Sequence, residues 1–307
     1  MKYLVIAVVV ILVLGVGGFF VYKNIANRAD MENDRAFEEA KPDTAAEQEK
    51  TVDDTKTVIG KSADGHEITA YHYGKGDTNL LFIGGIHGGY SWNTALVAYE
   101  LMEYLEKTPD AIPENMRVTV IPVMNPDGLN TVVGTTSRFS MADVPEESAD
   151  TIPGRFNSNE VDLNRNFDCD WQAESKWQNR TVSGGSEAFS EPESKAVRDF
   201  IATSSPDAVV VWYSSAGGVF ASNCHDGVLA ETTELTSLYA EASGYRAFKE
   251  FNFYEITGDM VNWMAKQGIP AISVLLTTHR DVEWNKNRAG IEALFKHYSD
   301  ESADLPE

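Results

Sequence analysis

Four short, nearly continuous apolar runs constrain this chain more than any other feature. They occupy residues 79–86, 116–124, 208–213 and 271–276 and are rich in Val, Ile, Leu and aromatic residues. A strand that is apolar on both faces has to be covered on both, which is the habit of parallel sheets flanked by helices. The intervening segments supply those helices. Residues 92–107 carry Leu96, Tyr99, Leu101 and Leu105 at helical spacing, and 258–267 and 289–298 read the same way. In Ser190-Glu191-Pro192-Glu193, Ser190 reads as a helix cap followed by Pro and Glu in the first turn. Residues 57–73 read as a hairpin turning at Ala63-Asp64-Gly65. Together these imply an α/β fold, an α/β/α sandwich around a mixed, largely parallel central sheet. Sites in such folds gather beyond the carboxyl ends of strands, where His87, Asn125, Ser214 and Thr277 fall.

The chain divides by composition. Residues 3–22 are apolar or glycine, close to the length that spans a bilayer as a helix. This run exceeds the apolar core of a cleaved signal peptide and passes directly into Tyr22-Lys23-Asn24. Residues 1–23 are therefore expected to form a transmembrane signal anchor in the cell membrane, with the folded domain extracytoplasmic. Residues 24–56, rich in Asp, Glu, Ala and Lys, bury too little to fold alone and read as an acidic flexible linker. Residues 57–300 form the globular domain, expected to be a monomer, and 301–307 an acidic tail. The formal charge of −22 excludes sequence-independent binding of nucleic acid, which needs a basic surface.

Six motifs stand in order along this domain. They are Gly84-Gly85-Ile86-His87-Gly88, Asn125-Pro126-Asp127-Gly128, Asp162-Leu163-Asn164-Arg165-Asn166-Phe167, and Phe189-Ser190-Glu191-Pro192-Glu193. Tyr254 with Gly258 and Trp263 follows, then the strand from Pro270 to Leu276. In this order, over residues 57–298, they resemble the carboxypeptidase A-like zinc metallopeptidases. The resemblance implies that Asn164 and Arg165 hold the free carboxylate of a peptide's last residue, since a planar guanidinium grips a carboxylate with two donors. It implies that Arg155 steadies the scissile carbonyl, that Tyr254 closes over the substrate, and that Val261 lines the pocket for the terminal side chain. Val261 would suit an apolar or small residue there.

The hydrolytic half of the pattern is altered. A catalytic zinc site needs three protein ligands and a water. His87 matches the first ligand, but Ser91, or Tyr90 if the turn aligns differently, stands where a Glu is expected. Ser214 occupies the place of the third ligand, a His, and Leu275 that of the general-base Glu. Zinc is expected from the family but weakly held or absent here, because hydroxyls are poor zinc ligands and leucine cannot take a proton.

Other residues bear on this. Cys224, His225 and His279 are the candidates for substitute ligands: His279 lies four residues beyond Leu275, about 13 Å away if the strand continues, and nearer if the loop folds back. Cys169 and Cys224, the two cysteines, are read as a disulfide beside the pocket. His87-Gly88-Gly89 also resembles the oxyanion turn of α/β-hydrolases. The Gly-x-Ser-x-Gly elbow that family needs fails at its last position, Asn93. The expectation is a membrane-tethered, carboxypeptidase-like domain that recognises C-termini of peptides or peptidoglycan stem peptides with impaired hydrolysis. The alternative is an active zinc metallocarboxypeptidase with a non-standard metal site.

Overall fold

The computed structural model describes residues 54–303. The apolar segment expected to span a membrane and nearly all of the linker lie outside the described residues. Among the described residues no helix is long and apolar enough to cross a bilayer.

The strands are β1 (Lys56–Lys61), β2 (Glu67–Gly74), β3 (Thr78–Ile83), β4 (Met116–Ile121), β5 (Glu174–Trp177), β6 (Arg180–Ser183), β7 (Ala208–Ser214), β8 (Gly218–Ala221), β9 (Arg246–Phe248) and β10 (Ala271–Leu276). The helices are α1 (Trp92–Lys107), α2 (Pro126–Val133), α3 (Ser148–Thr151), α4 (Pro192–Ser204), α5 (Ala230–Ser243), α6 (Met260–Lys266) and α7 (Trp284–Ala303). Eight strands form one sheet in the order β1-β2-β4-β3-β7-β10-β8-β9, and β5-β6 is a separate hairpin. The four apolar runs become the four central strands. β4, β3, β7 and β10 pair in parallel, while β2 joins β4, and β8 joins β10, antiparallel. The expected mixed, largely parallel sheet is therefore present.

The two faces explain why these strands are apolar throughout. Phe82, Val120, Val210, Trp212, Val274 and Leu276 pack with α1, α5 and α7 on one side. Leu81, Ile83, Val209, Val211, Tyr213 and Leu275 pack with α4 and α6 on the other. Because side chains alternate across a strand, this parity decides which residue of each strand end can reach the site.

Local differences from the sequence reading have simple causes. The strands expected over 79–86 and 116–124 stop at Ile83 and Ile121, the first because Gly84 and Gly85 turn the chain out of the sheet, Gly85 with a φ of 64°. The cap of α4 is Glu191, not Ser190, whose hydroxyl instead donates to the Glu191 carboxylate. The hairpin turn before β2 is tied down by buried Asp127, which accepts from the Ser62 hydroxyl, the His66 ring and the Asp64 backbone N–H.

Cys169 and Cys224 form the expected disulfide, with Cα atoms 6.1 Å apart and 55 residues of separation. It joins the chain after the Asn164-Arg165 turn to the segment after β8. The Cys169 carbonyl also accepts from Gly258 N at 2.7 Å. Replacing both cysteines by serine should lower stability by about 2–5 kcal/mol, read as a shift in the denaturation midpoint without reductant. An unchanged midpoint would show that the bridge holds nothing.

Candidate functional site

A cavity of about 290 Å³ opens at the carboxyl ends of β3, β7 and β10 and is lined by His87, Arg155, Asn164, Arg165, Tyr254 and Leu275, among others. Most of the residues expected to form the site are thus brought together.

The turn Leu163–Arg165 builds the side of the cavity expected to hold a carboxylate. Asp162 starts it by accepting from Asn164 N at 3.1 Å. The Asn164 amide is then locked: Nδ2 donates to Asp259 at 2.8 Å, while Oδ1 accepts from the Tyr213 hydroxyl and Met260 N, each at 3.2 Å. Arg165 is 1% exposed. Its Nε and Nη2 donate to the Lys176 carbonyl at 3.0 and 2.8 Å, and Nη1 donates to the Asn164 carbonyl at 2.7 Å. A guanidinium has five N–H groups, so one hydrogen on each of Nη1 and Nη2 is left by these bonds. No carboxylate lies within ion-pair distance of Arg165 among the described residues. Gly258 packs on this turn with a φ of +65°, and a Cβ there would sit 2.2 Å from the Arg165 carbonyl oxygen. Only glycine permits both the conformation and the approach.

Arg155 is committed differently. Its Nε and Nη2 both reach Asp162 Oδ2 at 2.8 Å, and its guanidinium lies 4.4 Å from the Trp177 ring centroid and 5.5 Å from that of Tyr90. Burial alone would raise the Asp162 carboxyl. The Arg155 guanidinium and His87 outweigh it and hold the group well below the usual carboxylate range. Arg155 is therefore directly ion-paired, whereas Arg165 feels the buried Asp259 and Asp162 carboxylates only at longer range.

On the hydrolytic side, His87 is buried with both ring nitrogens lacking a hydrogen bond. Its Nε2 stands 3.5 Å from Asp162 Oδ1. Burial, then the Arg155 charge, hold its pKa down at about 4 despite Asp162. Of the other expected ligand positions, Ser214 lines the same cavity and Ser91 does not. Ser91 Oγ is sealed without a partner, and it is Tyr90, one residue earlier, that lines the cavity. Ser214 Oγ bonds Asn93 and His279. The β7 side chain beside His87 is Tyr213, the ring centroids 5.9 Å apart, because the parity of β7 puts Val209, Val211 and Tyr213 on the site face. Leu275 stays as expected, facing the cavity and in register with Tyr213.

These donors do not fit a three-ligand zinc centre. His87 is one nitrogen donor. Burial raises the pKa of the Tyr90 phenol, and that of Tyr213 to well above its ordinary value, so both stay protonated. Among the described residues no three His, Cys, Asp or Glu side chains are grouped to hold a metal ion. Of the proposed substitutes, Cys224 is in the disulfide, and exposed His225 pairs with Asp170 at 2.6 Å.

His279 is the residue whose place the sequence left to the path of a loop. β10 ends at Leu276, and the loop after it folds back, bringing His279 to 2.9 Å from Ser214 Oγ and 4.6 Å, centroid to centroid, from Tyr90. Trp177, Asp259, Phe220 and Phe251 also line the cavity and carried no motif. Val261 and Tyr254 lie where expected, and Phe251 packs 5.0 Å from the Tyr254 ring.

Burial and then Arg155 lower the His279 pKa from 6.5 to about 4. Below pH 6.5 the unfolded chain takes the proton first, so stability present above 6.5 is lost as pH falls through 4. This group contributes at most about 1.4 kcal/mol per pH unit over that window. The His279→Phe variant should show a correspondingly shallower loss in denaturation between pH 6.5 and 4. An identical slope would place His279 in water.

The sequence matches the zinc carboxypeptidase family, Peptidase_M14, over residues 42–292. Metallocarboxypeptidase A of Arthroderma otae is 28% identical over 233 residues, 66% of this chain and 53% of that protein. Bacteriocin BCN5 of Clostridium perfringens is 33% identical over 151 residues, 48% of this chain but 15% of that protein. The chain thus spans about half or less of these relatives. Bovine thrombin-activatable fibrinolysis inhibitor, solved with tick carboxypeptidase inhibitor, has the same fold at a TM-score of 0.60 and 19% identity, covering 81% of this chain and 89% of that one. Murein-tripeptide amidase MpaA of Escherichia coli O157 aligns at a TM-score of 0.52 and 19% identity over 78% of this chain and 91% of that one. With the family's match extending across four-fifths of its length, the chain belongs to the zinc carboxypeptidase family.

Proposed function

We propose that this domain recognises the free carboxyl terminus of a peptide, or of a peptidoglycan stem peptide, and holds it without ordinary zinc-dependent hydrolysis. The observation that carries this reading is Arg165. A charge removed from water is ordinarily paired. Here a guanidinium 1% exposed lines the cavity with only backbone carbonyls as partners. A ligand carboxylate would complete it through the two remaining hydrogens. Tyr213, Tyr90 and Leu275 stand on the hydrolytic side, and none can supply the missing ligands or base. Residues 3–22 would tether the domain to the cell membrane as a single-pass anchor, with the cavity outside the cytoplasm.

A second reading is an active carboxypeptidase with a non-standard metal site. The buried ring of His87 favours it: Nδ1 has no polar partner and Nε2 only Asp162 at 3.5 Å, so a bound ion could satisfy both. Elemental analysis of the purified protein, together with a product assay on peptide acids, separates the two. Protein without zinc that releases no terminal residue supports recognition alone. Stoichiometric, chelator-resistant zinc with release of terminal residues refutes it in favour of the second reading.

A further inference from the structure

The loop after β10 fixes which nitrogen of His279 carries the proton. Asn93, buried in the first turn of α1, donates through its amide nitrogen to the Thr278 carbonyl at 2.8 Å and the Asp281 carbonyl at 3.0 Å. Its Oδ1 is therefore the atom facing Ser214, and an amide oxygen only accepts. The single hydroxyl hydrogen of Ser214 goes to that oxygen, 3.1 Å away. What Ser214 Oγ offers to His279 Nδ1, at 2.9 Å, is a lone pair, so Nδ1 is the protonated nitrogen. Nε2 of the neutral ring is then a bare acceptor. It has no hydrogen-bond partner among the described residues and is not among the polar atoms sealed from solvent. The ring itself lines the cavity, packed against Tyr90.

We propose that His279 is a peptide-binding residue of the cavity: Ser214 and Asn93 hold it as the Nδ1–H tautomer, so that Nε2 accepts a hydrogen bond from a backbone N–H of the bound peptide. The proposal rests on the reading of the cavity as a peptide C-terminus site. A peptide backbone brings carbonyls, which the two arginines can meet, and N–H groups, which need acceptors. Two other cavity acceptors are already used. Asp259 takes the Asn164 amide and Asn262 N, and Asn164 Oδ1 takes Tyr213 and Met260 N. Nε2 of His279 is the imidazole lone pair that these bonds leave open.

Two measurements test it. Nitrogen-15 NMR of the unliganded protein should show His279 protonated at Nδ1 and bare at Nε2. The opposite tautomer would overturn the proposal without any ligand being needed. Binding is then measured for acetyl-Ala-Ala-Leu acid and for its three depsipeptides, each with one backbone N–H replaced by an ester oxygen. In the wild type one replacement should weaken binding about threefold to tenfold more than the others. In His279→Phe, which keeps a ring against Tyr90, that difference should vanish, and His279→Gln serves if the Phe variant does not fold. The same pattern of losses in wild type and variant would overturn the proposal. Failure of the parent acid to bind at all would instead overturn the C-terminus reading, leaving the tautomer measurement to judge the His279 network.

Discussion

Replacing Arg165 by alanine should weaken binding of a peptide acid by about ten- to a hundredfold. A charge-assisted hydrogen-bonded contact contributes roughly 1.5–3 kcal/mol, and the two hydrogens left on Nη1 and Nη2 offer a carboxylate two such donors. The guanidinium also holds the Lys176 and Asn164 carbonyls, so the variant disturbs structure as well as charge. The ligand separates the two effects. If Arg165 acts on the carboxylate, the variant should lose affinity for the acid while its weak affinity for the corresponding peptide amide barely changes. Equal losses for acid and amide would reduce Arg165 to a structural strut.

The second large effect is a gain. If hydrolysis is missing because the donors are missing, the triple change Tyr90→Glu, Tyr213→His and Leu275→Glu should create a zinc-binding protein that slowly releases C-terminal residues. The choice of positions follows from geometry. Tyr90 lines the cavity and Ser91 does not, while Tyr213 faces His87 and Ser214 faces Asn93. Ligands and base act as a unit, so single replacements should do little. Asp162 already stands 3.5 Å from His87, where it would orient the first ligand. Tyr213→His removes the hydroxyl that donates to Asn164 Oδ1, so the restored enzyme should be slow. A new Glu at 275, in a nearly dry wall, costs several kcal/mol unless a metal or proton neutralises it. Folding of the variant should therefore depend on zinc. The companion variant Ser91→Glu, Ser214→His, Leu275→Glu should gain neither zinc nor activity. If it gains both and the first variant does not, the assignment by strand parity is wrong.

The contrast between the two triple variants shows what was legible in the sequence. The four apolar runs announced the central strands because residues buried on both faces leave no periodicity to misread. The helix at residues 92–107 emerged with the bounds expected of it. The cavity residues Asn164 and Arg165 were legible because their motif is contiguous and its turn is local, while Arg155, ten residues earlier, was placed by resemblance alone. Of the ligand positions, the one expected at Ser214 was displaced by a single residue, and of the two that the first turn allowed it is Tyr90 that lines the cavity. In β7 both Tyr213 and Ser214 follow an unbroken apolar run, and only the packing of Trp212 on one face and Tyr213 on the other sets the parity. His279 could not be placed from the sequence for a different reason. Counting along an extended strand put it far from the site, but β10 stops at Leu276 and the loop reverses, anchored by Asn93 from a helix nearly two hundred residues earlier. Such long-range hydrogen bonds leave no local pattern. Short strands such as β8 and β9 carried too few residues to be recognised beside the longer apolar runs.

The central claim is that this cavity recognises a free carboxylate without a metal. Calorimetric titration of the chelator-treated wild-type protein with acetyl-Ala-Ala-Leu acid, and in parallel with its C-terminal amide, tests it most directly. The acid should bind at least tenfold more tightly than the amide, chelation should leave this difference intact, and the acid should be recovered uncleaved. Equal binding of acid and amide, or acid binding that disappears with the chelator and returns with zinc, would contradict it.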